Sequence, residues 1–293
     1  MMRRLPMHVD IFDETKCVLG EGPLWHPLRG ELFWFDIVGK KLFSRSGDDI
    51  QQWNFDEYVS AAGWIDQDHL LIASQSALLK FQISSGETEL IAPLESDNPS
   101  TRSNDGRADP WGGFWIGTMG IGAEYEAGAI YRYYGGELRK LFSSITISNA
   151  ICFSPDRRWG YFADTAQAKI WRQLLGEKDG WLVGEPELFI DFCGTGINPD
   201  GAICDAHGNL WNAQWGAGRV AKYSAEGRFL EALNLPAEQI TCPAFGGKNL
   251  SDLYITSARQ GLNPKQLETQ EDAGKTFVSP TQTLGQMEHK IVL

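Results

Sequence analysis

The chain has 293 residues and a formal net charge of −12. That length buries enough surface to fold without disulfides or a structural metal, and the charge argues against a phosphate-backbone partner. The five cysteines are odd in number and never in C-x-x-C spacing, so they read as reduced thiols, small buried hydrophobes of a cytoplasmic protein.

The opening Met1-Met2-Arg3-Arg4-Leu5-Pro6 is basic, but Pro6 and Asp10 interrupt any apolar run, so no signal peptide is expected. No stretch approaches the ~20 apolar residues of a membrane span. Val9-Asp10-Ile11-Phe12 then reads as a strand. From there a polar-glycine turn followed by an aromatic strand recurs along the chain: Leu32–Asp36, Leu70–Ser74, Phe114–Thr118, Tyr161–Thr165, Leu210–Gln214 and Leu253–Ser257. Successive spacings of roughly 37 to 50 residues fit propeller blades or helical solenoids. Alternating apolar residues and the absence of sustained i, i+3, i+4 spacing select β-structure. Further strands of the repeat are Gly128–Tyr133 and Gly218–Tyr223. At about 45 residues per repeat, the chain predicts an all-β six-bladed propeller, one domain over residues 1–293, with four short strands per blade around a central channel. Residues 263–288 are polar and turn-rich, and the pattern does not locate their strands. Lys290-Ile291-Val292-Leu293 reads as a strand, expected to share a blade with the N-terminal strand and so close the ring.

Some ten to thirteen residues before each aromatic strand lies the expected start of a blade's innermost strand. In blade order that position holds Glu21, Ser60, Asn104, Asn149, Asp200 and the Thr241-Cys242-Pro243 turn. Ring closure would gather these residues on the axis. Two carboxylates and two carboxamides would then share one cavity, a donor set suited to a hard divalent cation. The five histidines show no H-x-x-x-H or H-x-H spacing, which argues against a His-rich zinc site. Taken singly, Asp-Gly or Glu-Gly-Pro is an ordinary turn former; recurrence at one repeat position is what singles out Glu21, Asn149 and Asp200. Asp36 and Asp164 read as turn-capping or inter-blade hydrogen bonders, and Trp34, Trp115 and Trp211 as blade-to-blade core.

The segments Leu19–Trp25, Arg102–Gly106, Gly117–Met119, Ser148–Asp156 and Pro199–Gly201 resemble those of the regucalcin (senescence marker protein)/gluconolactonase family, in collinear order over nearly the whole chain. The resemblance implies a six-bladed propeller that hydrolyses sugar lactones with one divalent cation in the channel: Ca²⁺, Zn²⁺, Mn²⁺, Mg²⁺ or Fe²⁺. It implies Glu21, Asn149 and Asp200 as metal ligands, Asp200 also as catalytic acid/base, and Arg102 and Asn104 as substrate-binding groups. Two departures stand out. Ala150 replaces the glycine that usually follows the metal-binding asparagine. The loop Gly120–Glu126 is shorter than in animal members, leaving Glu124 as the candidate for their substrate-contacting glutamate. The expected partner is a small sugar lactone, with neither nucleic acid nor membrane. Other readings are a metal-dependent propeller hydrolase of phosphotriesters or non-sugar lactones, and a non-enzymatic binding scaffold; the absence of recurrent Gly-His and Trp-Asp signatures weakens the scaffold.

Overall fold

The computed structural model describes residues 8–293; the Met1–Pro6 segment lies outside them. Six four-stranded antiparallel sheets follow one another as the blades of a propeller. In five of them the strands sit in chain order from the axis outward, starting at the innermost strands Gly20–His26, Val59–Trp64, Thr101–Ala108, Ser148–Phe153 and Asn198–Cys204. All six aromatic segments form the second strand of their blade: Glu31–Asp36, His69–Ser74, Phe114–Gly120, Trp159–Asp164, Leu210–Trp215 and Asp252–Ser257. These strands are buried on both faces because blades pack on either side. Trp34, Trp115 and Trp211 are almost completely buried there, as an inter-blade core requires.

Closure takes a different form from the one expected at the C-terminus. Asp10–Asp13 does become the outermost strand of the sixth blade, pairing Asp10 with Val278 and Ile11 with Phe277. Its partner is Thr276–Pro280, inside the polar, turn-rich stretch whose strands the residue pattern does not locate. That stretch also holds a short helix, Pro264–Thr269, with an Asn263/Gln266 capping box and proline in its first turn. Lys290–Leu293 is not a strand. Beyond Pro280 the chain crosses the far ends of the innermost strands. Trp64 Nε1 donates to the Glu288 carbonyl (2.8 Å), Gln286 Nε2 to the Phe153 carbonyl (2.7 Å), and the Ile291 N–H to the Trp64 carbonyl (2.8 Å). Ile291 is fully buried between blades two and three, and the Glu288 carboxylate pairs with the buried Arg107 guanidinium. The tail thus packs against the end of the channel opposite Glu21 and Asp200.

Every innermost strand carries a register shift near its start: between Glu21 and Leu24, Val59 and Ala61, Ser103 and Gly106, Asn149 and Cys152, Pro199 and Ala202, and Ile240 and Pro243. A bulge re-aims one side chain at the cost of one ladder pair. Here it falls, blade after blade, on or beside the repeat position singled out by spacing. Gly22 and Ala150 occupy the left-handed region after Glu21 and Asn149, at φ +54 and +56. Gly22 also faces the Ser60 carbonyl so closely that a Cβ would collide with it. Ala150 holds the same backbone conformation with a methyl group, at some conformational cost.

Four of the five cysteines are buried; Cys193 is exposed, contrary to expectation, and none is paired in a disulfide. No helix among the described residues is long and apolar enough to cross a membrane.

Candidate functional site

The bulges bring four of the six repeat positions together. Glu21, Asn104, Asn149 and Asp200, with Arg102, line one cleft of about 230 Å³ at the start of the innermost strands. The remaining two positions are spent on packing between blades. Ser60 Oγ donates to Ser103 Oγ at 2.8 Å, and Thr241 Oγ1 donates to the Gly20 carbonyl at 2.6 Å.

The residues on either side repeat as well. Two positions before the ring residues stand Leu19, Arg102 and Ile147, forming a second tier of the wall. Just past the second strand of blade four, and at the end of that strand in blades three and five, Thr165, Met119 and Trp215 complete it. The cleft therefore has an acidic-amide floor and a largely apolar rim crossed by one guanidinium. Two aspartates set the height of the floor. Asp36 accepts from the Val18 and Leu19 N–H groups (2.9 and 3.0 Å), and Asp164 from those of Thr146 and Ile147 (both 3.0 Å). Each fixes the chain just before a floor residue, and each also caps the turn after its own strand as expected, Asp36 accepting from the Gly39 N–H at 2.9 Å and Asp164 from the Ala166 N–H at 3.2 Å.

The floor is electrostatically unsatisfied. Glu21 is about 5 % exposed, and its one hydrogen bond among the described residues is accepted from the Gly22 N–H at 2.9 Å. Burial, reinforced by the charge of Asp105, pushes its carboxyl up to about 8, against the pull of the Gly22 N–H, Arg102 and Arg107. Asp200 is likewise driven well above the ordinary carboxylate range by burial first, then by Glu21 and Asp105. Burial lowers Arg102 to about 10, partly countered by Glu21 and Asp200, so it remains a cation at neutral pH.

Asp105 belongs to the Arg102–Gly106 segment of the innermost strand of blade three. It is buried beneath the floor, raised to about 6 by burial, and accepts the Ile151 N–H at 2.7 Å, which anchors the bulge after Asn149. Glu124 is exposed and accepts the Gly122 N–H at 3.0 Å; its neighbour Ala123 is the loop residue that reaches the cleft.

Among the described residues no three His, Cys, Asp or Glu side chains are grouped to hold a metal. Glu21 and Asp200 supply two carboxylates, and the amides of Asn104 and Asn149 lie in the same cleft. Asn149, which lines the cleft, has a fixed amide: its Nδ2 donates to Thr165 Oγ1 at 2.8 Å and its Oδ1 accepts from Asn104 Nδ2 at 3.1 Å. Two buried carboxylates of like charge beside an oriented carbonyl oxygen are a donor set that a hard divalent cation fits.

Comparison with known proteins bears on the same residues. A family model described as the SMP-30/gluconolactonase/LRE-like region matches residues 19–259, which include every floor residue. The chain is 40% identical over 288 residues, 97% of each chain, to a Rhizobium meliloti (strain 1021) protein whose name assigns it provisionally to the sugar lactone lactonases. It is 34% identical to an L-arabinolactonase of Azospirillum brasilense, over 93% of this chain and 91% of that one. The crystal structure of a calcium-binding protein, regucalcin, from Agrobacterium tumefaciens superposes with a TM-score of 0.96 at 39% identity, covering 99% of both chains. The chain belongs to the SMP-30/gluconolactonase/LRE-like family.

Proposed function

We propose that this chain hydrolyses sugar lactones, aldonolactones of five or six carbons, to the corresponding acids, and that the reaction depends on one divalent cation held by Glu21, Asn149 and Asp200. The observation that carries the reading is the pair of buried, charge-starved carboxylates beside an oriented amide oxygen, in a cleft that also presents Arg102 and Asn104. Similarity to an L-arabinolactonase supports the substrate class, and similarity to a calcium-binding regucalcin supports the cation.

A cation bound there supplies Lewis acidity toward a carbonyl oxygen. Asp200 holds the attacking water and takes its proton as the oxygen adds to the lactone carbonyl carbon. It returns a proton to the ring oxygen as the C–O bond breaks, leaving a hydroxy acid. Arg102 orients the substrate. Its Nη1 is engaged by the Ser103 carbonyl and Asn104 Oδ1, both at 2.8 Å, while no hydrogen-bond acceptor among the described residues engages Nη2 or Nε. Those donors face a substrate's ring oxygens and hydroxyls. The apolar rim of Met119, Ile147 and Trp215 lies against the C–H faces of a sugar ring.

Arg102→Ala is expected to lower kcat/KM for aldonolactones by at least about tenfold. A change within about twofold, well under 1 kcal/mol of transition-state binding, would remove Arg102 from the substrate site.

The metal assignment is tested by elemental analysis. Purified protein should carry close to one divalent cation per chain, and Glu21→Gln should lower that content; unchanged content counts against the assignment.

Stability should follow pH in a direction the floor dictates. In metal-stripped protein Glu21, Asp105 and Asp200 all have raised values, so the folded state binds more protons than the unfolded state from about pH 4.5 to about pH 8. Its stability therefore falls as pH rises through that window. A cation takes over the role of the protons, so the rise in Tm on adding metal should grow from pH 5 to pH 8. A rise that is constant, or largest at pH 5, contradicts this account of the floor.

A further inference from the structure

One chain of hydrogen bonds runs across blades three, four and five, and its two ends fix its direction. Arg102 Nη1 donates to Asn104 Oδ1 at 2.8 Å, and an arginine can only donate. Asn104 must then turn its amide nitrogen onward, and it donates to Asn149 Oδ1 at 3.1 Å. Asn149 Nδ2 donates to Thr165 Oγ1 at 2.8 Å, and the Thr165 hydroxyl donates to the Pro199 carbonyl at 2.6 Å. A carbonyl can only accept, so reversing any one link sets donor against donor or acceptor against acceptor. Pro199 is bonded directly to Asp200. Thr165 therefore joins the amide of one floor residue to the backbone entering another.

We propose that Thr165 is a positioning residue for the cation site. Its hydroxyl keeps the oxygen of Asn149 toward the cleft and ties that orientation to the segment leading into Asp200. The inference rests on the metal-dependent reading above. Asn149 Oδ1 has two lone pairs, so the bond from Asn104 leaves one for a cation. Without the hydroxyl, the amide nitrogen loses its acceptor on that side, and only the 3.1 Å bond from Asn104 still holds the oxygen in place. Partners that orient metal ligands in this way typically set affinity by about 10- to 100-fold. The Thr165 backbone is anchored independently of its hydroxyl: its N–H donates to the Ile147 carbonyl at 3.0 Å, and Asp164 caps the short turn that follows. Replacement by valine, nearly isosteric, thus removes the two hydroxyl bonds and leaves the turn in place.

The test is calorimetric titration of metal-stripped protein with Ca²⁺ and, separately, Mn²⁺. Thr165→Val should bind the cation at least about tenfold more weakly than the parent, and Thr165→Ser within about threefold of it. Affinity of Thr165→Val within about twofold of the parent, or Thr165→Ser as weak as Thr165→Val, overturns the proposal. If Thr165→Val is not recovered folded, Thr165→Ala against Thr165→Ser makes the same comparison, and equal affinities again overturn it. Parent and Glu21→Gln are titrated alongside. A parent that binds neither cation, or Glu21→Gln binding as tightly as the parent, counts against the metal site itself. Weakened Glu21→Gln with unchanged Thr165→Val removes the role of Thr165 alone.

Discussion

Asp200→Asn is expected to lower lactone hydrolysis, measured per bound cation, by at least two orders of magnitude while leaving fold and much of the metal content intact. Asparagine keeps an oxygen for the cation but cannot accept the proton of an attacking water, and loss of a general base typically costs about 10² to 10⁴ in rate. The buried position sharpens the expectation. Asp200 lies beside Glu21 and Asp105, so the change removes one of three mutually repelling carboxylates, and the metal-stripped fold should be no less stable than the parent. Asn149→Asp is the informative control. It keeps an oxygen ligand and adds a negative charge, which weakens Lewis acidity without removing the base. If Asp200→Asn stays nearly as active per cation as the parent, Asp200 is a ligand only, and the base belongs elsewhere in the cleft.

The second large effect lies at the opposite end of the channel. Glu288→Ala should destabilise the protein by about 3 kcal/mol, because it removes the carboxylate that most strongly offsets the buried Arg107 guanidinium. For a chain of this size that corresponds to a fall in Tm of roughly 5–10 °C. Glu288→Gln, which retains a hydrogen-bond acceptor, should lose less. Arg107 Nε also donates to the Ile151 carbonyl at 3.3 Å, so the tail is linked to the strand that carries Asn149. A melting temperature within about 1 °C of the parent for Glu288→Ala would show that the pair contributes no net stability, as some buried pairs do.

The repeat made the propeller legible, because six aromatic strands at regular spacing can only be buried by stacking on one another. The same spacing located Glu21, Asn104, Asn149 and Asp200 in one cleft, since a bulge recurs at that place in each blade. The C-terminus misled. Ile291-Val292-Leu293 has the composition of a strand, yet its apolar character serves one buried anchor, Ile291, in a segment that crosses blade ends. Short apolar runs do not distinguish the two. The true closing strand, Thr276–Pro280, is brief and ends on proline, so no periodicity announced it. The helix at Pro264 did have a readable signal in Asn263-Pro264-Lys265-Gln266, a capping box with proline at its first position. Met119, Thr165 and Trp215 were also within reach: they lie at or just past the end of successive second strands, a repeat position left unaligned. Asp105 was not, since its burial beneath the floor follows from how the blade-three bulge packs against Ile151.

The most direct test of the central claim is the rate of aldonolactone hydrolysis by one preparation before chelation, after chelation, and after return of a stoichiometric divalent cation, with a phosphotriester as the competing substrate. The account predicts that lactone hydrolysis is lost with the metal and restored with it, that it exceeds phosphotriester hydrolysis throughout, and that Glu21→Gln is not restored at the same cation concentration. Undiminished lactone hydrolysis by protein shown to be free of metal would contradict it.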